Sequence, residues 1–169
     1  MSAHAQLRAA TRDAHDRVDV RFASLDLADR ADYVAFLTAQ ARAYLPLEKA
    51  LTDSGAAAHV EDWAETRRGA LLLADLADLG IDPPETRAPP SFGNDAELIG
   101  ALYVLEGSRL GGAMLRQSVP DSLPSRFLSA RPPGGHWKRI IATLERNLYS
   151  DARIEAATNG AIRAFALFE

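Results

Sequence analysis

Only one histidine in this chain has neighbours that suggest chemistry. His15 lies inside LRAATRDAHDRVD, residues 7–19. Arg8 precedes it by seven residues and Thr11 by four, while Asp19 follows by four and Phe22 by seven. In an α-helix those spacings put all five side chains on nearly one face. The imidazole offers a nitrogen ligand, and a carboxylate one turn on can orient or charge the ring. Arg8, two turns earlier and about 10 Å away along the axis, can pair with an anionic group. A neutral ligand and a distant cation on one face suit a large flat molecule with a central metal and peripheral carboxylates. Taken alone, His15 also reads as a partly buried polar residue.

A second stretch complements it. LYVLEGSRLGG, residues 102–112, has the pattern of a buried helix yet holds Gly107, Gly111 and Gly112. A glycine inside a helix costs roughly 0.5–1 kcal/mol relative to alanine. Gly107 and Gly111 share a face, and Gly112 opens a second gap beside Gly111. Missing Cβ atoms on adjacent turns let a flat ligand press against the backbone. They equally permit tight packing of two helices, and three glycines favour bending. A planar cofactor held between this helix and the His15 helix needs both features.

Other chemistries are poorly served. The chain has no cysteine, which excludes disulfides, thiolate ligands and a cysteine nucleophile. Glu-x-x-His pairs of di-iron bundles and His-x-x-x-His are absent among the four histidines. His4 falls in an N-terminal tail expected to fray, and His59 and His136 read as surface or capping residues. Glu106 and Arg109, beside the glycines, read as solvent-facing or salt-bridging. With 19 basic and 23 acidic residues the net charge is −4, a poor match to nucleic acid. No apolar run is long enough to span a bilayer, and the N-terminal segment lacks the apolar core of a signal peptide. A cytoplasmic protein is the expectation.

Helices must position these residues. Apolar residues recur at three- and four-residue spacing, with no sustained alternation. One helix is expected over about 5–23. A second follows from Asp29 to about Asp53, with a kink or break near Ala43–Leu45 before Pro46. A third covers roughly 57–79 and ends at Gly80. Residues 81–93 hold four prolines and form a loop. Asn94 caps the glycine-rich helix. Pro120 to Gly135 is irregular, with one short turn at SRFLS, and two helices near 136–149 and 151–168 close the chain, Ser150 capping the last. Residues 1–169 thus read as one all-α domain.

The two motifs together, with FLTAQARAYLPLEKAL, LLLADLADLG and AFALFE in order, resemble the haem oxygenases, above all the bacterial group associated with bacteriophytochromes. The resemblance implies a single-domain helical bundle holding haem between a proximal and a distal helix. It makes His15 the iron ligand, with Thr11 and Asp19 on the same binding face. Gly107 and Gly111 become the distal glycines at the reacting face, with Gly112 beside them. Arg8 and Lys138 lie near the propionates, and Phe165 borders the pocket. The implied activity is ring opening of haem, at once cofactor and substrate, by O2 and reducing equivalents to biliverdin, carbon monoxide and ferrous iron. A reductase or ferredoxin supplies electrons, and a bacteriophytochrome is a possible acceptor of biliverdin. A histidine ligand leaves the opposite iron position open to dioxygen. Ser108 stands where animal members carry an acid that organises pocket water, so a catalytic part for Ser108 requires proton delivery through water. A non-catalytic haem-binding or haem-delivery protein on the same fold is the alternative.

Overall fold

The computed structural model describes residues 1–169 and contains nine α-helices and no strand. These are α1 (Ala3–Ala10), α2 (Arg12–Phe22), α3 (Arg30–Asp53), α4 (Trp63–Thr66), α5 (Gly69–Asp78), α6 (Asp95–Leu115), α7 (Arg126–Ser129), α8 (His136–Asn147) and α9 (Asp151–Phe168). The starts of α3, α6 and α9 follow the expected chemistry. Asp29, Asn94 and Ser150 each accept the backbone N–H three residues on, which satisfies a donor the helix itself leaves free. Gly80 takes a φ of 75°, the left-handed conformation that ends α5. The loop over residues 81–93 and the short turn at Arg126–Ser129 also lie where expected.

Three expectations are corrected. The first helix is two. Thr11 separates α1 from α2, and its hydroxyl donates to the Leu7 carbonyl at 2.9 Å, a local bond that competes with regular helix. The proposed helix over 57–79 is a 3-10 turn at Ala56–Ala58 followed by α4 and α5. A long-range contact sets that division. Glu48, on α3, accepts from the backbone of Arg68 at 2.8 Å and of Gly69, starting α5 afresh. Finally, of the kink or break expected before Pro46, the break does not occur: α3 continues through Pro46, which is buried.

The main axis of the molecule is the crossing of α6 and α9. A Cβ on Gly100 would lie 1.9 Å from the Ala157 carbonyl oxygen, and one on Gly160 would lie 1.9 Å from that of Glu97. The two helices therefore meet backbone to backbone, which only glycine allows. Ala101, Leu105, Ala157, Ala161 and Ala164 pack around the contact, all essentially inaccessible. On their other faces, α9 packs against α1, α2 and α3, and α6 against α7 and α8. One apolar core joins them and includes Leu7, Tyr33, Leu37, Tyr44 and Leu72.

Candidate functional site

His15 projects from α2 with its side chain 59% exposed, more open than the partly buried ring expected from sequence. Its Nδ1 lies 3.2 Å from Asp19 Oδ2 and 3.9 Å from Asp16 Oδ1. Phe165 of α9 meets the imidazole edge-on at 5.9 Å between ring centres. A side chain of α9 therefore lies against the His15 ring. Arg8, in the last turn of α1, is exposed and acts electrostatically on Tyr103 of α6. Burial raises the Tyr103 phenol, and the Arg8 charge pulls the other way. Thr11 departs from its expected part. It is buried, and its hydroxyl is engaged at the α1–α2 joint rather than presented beside His15.

The glycines of α6 divide into three environments. A Cβ on Gly111 would meet no atom within 4 Å, so this turn faces open space. A Cβ on Gly107 would touch the Trp137 ring at 3.6 Å. A Cβ on Gly112 would touch Leu128 at 3.4 Å and approach Arg68. Gly112 thus serves packing against α7, a correction to its assignment beside Gly111. Lys138 is exposed in the first turn of α8.

Ser108 is not alone. Its hydroxyl accepts from Arg68 Nη2 at 2.9 Å and donates to the Leu105 carbonyl at 2.6 Å. Arg68 is 2% exposed and lies against the rings of Tyr44 and Phe127, at 5.2 and 4.6 Å from their centres. Its Nε and the Tyr44 hydroxyl are buried without a partner. Burial pushes the Tyr44 phenol well above its ordinary range, so the group stays a neutral donor.

A buried polar chain crosses the same helix. His136 Nε2 is 2.6 Å from Glu106 Oε2, and its Nδ1 is 3.1 Å from Asp62 Oδ1. Glu106 also accepts from Arg109 Nε at 2.5 Å, and Arg109 donates on to the Thr66 carbonyl. His136, Glu106 and Arg109 are all buried, which corrects the surface reading of His136; of the two readings of Glu106 and Arg109, solvent-facing or salt-bridging, the structure has the salt bridge. Glu106 raises the imidazole above its ordinary value, burial opposing and Asp62 assisting. Burial pushes Glu106 up, but His136 and Arg109 outweigh it and hold the carboxyl below its usual range. His4 is likewise anchored rather than frayed. Its backbone N–H donates to Glu145 at 3.0 Å, and its ring packs against Tyr103 and Trp137.

The sequence reading missed Arg68, Tyr44, Tyr103 and Trp137. Tyr103 does share a face with Gly107 and Gly111, four and eight residues on, but Arg68, Tyr44 and Trp137 share no local spacing with His15 or the glycines, so their arrangement is visible only once the helices are packed. A cavity of about 500 Å³ follows another flank of α6 and is lined by Glu106, Arg109, Leu110, Leu128, His136 and Trp137 among others. It touches neither His15 nor Arg8, so the site rests on the residues rather than on cavity size.

These residues fit haem. An exposed imidazole has its Nδ1 facing carboxylates, which leaves Nε2 to ligate. The missing Cβ of Gly111 opens on free space, and Leu110 and Met114 on the adjoining surface are 54% and 73% exposed. Apolar side chains so placed gain by being covered. The family model described as Heme oxygenase matches residues 1–169. The chain belongs to the haem oxygenase family. Two curated members are similar to it: a heme oxygenase of Xanthomonas campestris at 35% identity, covering 83% of this chain and 88% of the relative, and the heme oxygenase PigA of Pseudomonas aeruginosa at 30%, covering 96% and 87%. The fold is similar to that of the NO- and CO-bound heme oxygenase of Neisseria meningitidis, with a TM-score of 0.85 and 25% identity over 99% of this chain and 88% of that one. Haem degradation to biliverdin, with haem as cofactor and substrate and O2 as oxidant, is the activity of this haem oxygenase. No helix is long and apolar enough to cross a membrane.

Proposed function

We propose that haem is held with His15 Nε2 as the proximal ligand and the Gly107–Gly111 surface of α6 as the distal wall. The observation that carries this reading is the pairing of an exposed imidazole, its Nδ1 beside Asp19, with a helix turn whose missing Cβ opens on free space. The bound haem supplies the iron at which dioxygen is reduced. Asp19 orients the His15 ring and favours the proton on Nδ1, leaving the Nε2 lone pair free. Phe165 limits the tilt of that ring from the α9 side. Arg8, Tyr103 and Lys138 pair with the propionates.

On the distal side Gly111 keeps side chains out of the reaction space. Arg68 and Ser108 take the part of the acid found in animal members. The Arg68 guanidinium fixes the Ser108 hydroxyl, and the two hold a water from which a proton can be drawn. The unpartnered Tyr44 hydroxyl adds a further neutral donor. Electrons come from a reductase or ferredoxin, a bacteriophytochrome takes up biliverdin, and both act in the cytoplasm. Carbon monoxide and ferrous iron leave as the other products.

Haemin titration tests the reading. Wild type should give a one-to-one Soret band, and His15→Ala should lose the ligand-field signature of a histidine-bound ferric haem. An unchanged spectrum in His15→Ala would remove His15 from the iron. Reductant and air should then convert the wild-type band to biliverdin absorbance. A Soret band that persists unchanged would instead support the haem-binding alternative.

A further inference from the structure

The cavity of about 500 Å³ beside α6 has no part in holding haem at His15, and its lining has a charge of its own. Glu106 is the single acid among the lining residues, set against Arg109, Arg116, Arg131 and His136. Much of this charge is already matched. Glu106 accepts from both Arg109 and His136. Arg116 pairs with Asp121 at 2.9 Å and donates to the Val119 carbonyl at 2.8 Å. Both His136 nitrogens face carboxylates, so its ring offers no free ligand to a metal. Two cationic donors are left over. Arg109 is only 8% exposed, and its Nε and Nη2 are hydrogen-bonded, but its Nη1 has no partner. That nitrogen is not sealed off as Arg68 Nε is, so it is reached from the cavity that Arg109 lines. Arg131, exposed on the loop before α8, has no carboxylate partner and makes no hydrogen bond.

A buried guanidinium with an unused N–H edge favours an anionic acceptor, because hydrogen bonds between charged groups are the strong ones. The walls select the rest of the ligand. Leu110, Leu128 and Trp137 are apolar, and the indole gives a flat surface on which a ring can stack. Cavities of roughly 300–1,000 Å³ with such walls and a few placed polar groups suit small organic molecules. We propose that this cavity is a second ligand site that takes a small aromatic carboxylate, its oxygens shared between Arg109 Nη1 and Arg131 and its ring against Trp137. One oxygen answers the single free nitrogen of Arg109, and the other meets Arg131 on the solvent side. The site stands on these side chains alone and is independent of which residue holds the haem iron.

The probe is 1-naphthoate, titrated by calorimetry into the full chain with and without bound haemin. One equivalent per chain should bind in both states. Arg131→Gln should weaken binding about tenfold, the scale for losing one hydrogen bond to a charged group. Ala113→Phe, which fills the cavity from an exposed position of α6, should abolish it. Arg131 and Ala113 are both exposed, so these variants retain the fold. The neutral analogue 1-naphthylmethanol should bind at least tenfold more weakly than the acid. No binding of naphthoate at about 1 mM, or equal binding by wild type and both variants, would overturn the site. Equal affinity for the neutral analogue would overturn the part given to the arginines. Displacement of naphthoate by inorganic phosphate at equal concentration would overturn the aromatic preference. Loss of binding in the haemin-loaded protein would mean that naphthoate had occupied the haem slot, and would overturn a separate site without touching the haem reading.

Discussion

Arg68 and Ser108 are 40 residues apart in the chain yet joined by a 2.9 Å hydrogen bond at the distal helix. Glu48 accepts from the Arg68 backbone N–H, and the guanidinium lies against the rings of Tyr44 and Phe127. A serine that looked like a lost acid is thus the tip of a buried, charged assembly. Arg68→Met, which retains much of the volume, should leave the haemin complex intact. It should slow biliverdin formation about a hundredfold, the scale for removing one preorganised donor. Single-turnover oxidation with stopped-flow detection measures this. A rate equal to wild type would separate Ser108 from proton delivery.

The glycines of α6 should respond in opposite directions to the same substitution. Gly100→Ala drives a methyl group into the Ala157 carbonyl and should destabilise the haem-free protein by about 1–3 kcal/mol. Gly111→Ala places its methyl in open space and should stabilise the haem-free protein by about 0.5–1 kcal/mol. The same methyl group should weaken haemin binding, and Gly111→Leu should abolish it. Urea denaturation and Soret titration give the two readouts. Parallel changes in both variants would mean that α6 does not divide as described.

His136 gives the fold a pH dependence whose sign is set by its neighbours. Glu106 raises its folded-state pKa above the ordinary 6.5. That contribution to stability is complete below about pH 6.5 and is lost as pH rises through the raised folded value. Glu106 and Asp62 titrate the other way. Both are lowered in the fold, so their contribution is present above their ordinary values of 4.5 and 3.8 and is lost as pH falls through the depressed ones. The stability difference between wild type and His136→Gln should therefore be greatest near pH 5.5 and shrink on the alkaline side. Urea midpoints across about pH 4.5–9 measure it. A difference that grows with pH would contradict the paired arrangement.

Asp75 is fully buried and accepts from the backbone N–H groups of Arg126 and Phe127 at 3.0 and 2.9 Å. It holds the start of α7, and α7 in turn places Leu128 against Gly112. Asp75→Ala should leave two donors without partners and cost about 2–4 kcal/mol. Hydrogen exchange should show the Arg126 and Phe127 amides losing protection first. Uniform loss of protection across the chain would argue that α7 has no separate anchor.

The parts of this molecule written in local spacing were readable from sequence. Asn94, Ser150 and Asp29 start helices because a side-chain oxygen reaches three residues on. Gly80 ends one because it alone takes the required φ easily. The His15 face was readable for the same reason, since Asp19 lies one turn away. Contacts between distant segments were not. Nothing near Arg68 announces Ser108, and nothing near His136 announces Asp62 or Glu106. A histidine at a helix start resembles a surface residue until the loop carrying Asp62 and the buried face of α6 close over it. Thr11 and Gly112 were misplaced because facing one way on an ideal helix does not reveal what lies opposite.

The crossing at Gly100 and Gly160 has a mechanical consequence. From Ala96 to Glu106 nearly every residue of α6 is buried, whereas beyond Glu106 only Arg109 and Gly112 are. The first half of the helix is clamped to α9 by backbone contact. The second half is held by side chains instead, through Ser108 to Arg68, Arg109 to Thr66 and Gly112 against Leu128. A substitution among those side chains can therefore shift the surface at Gly111 while the backbone contact at Gly100 stays in place.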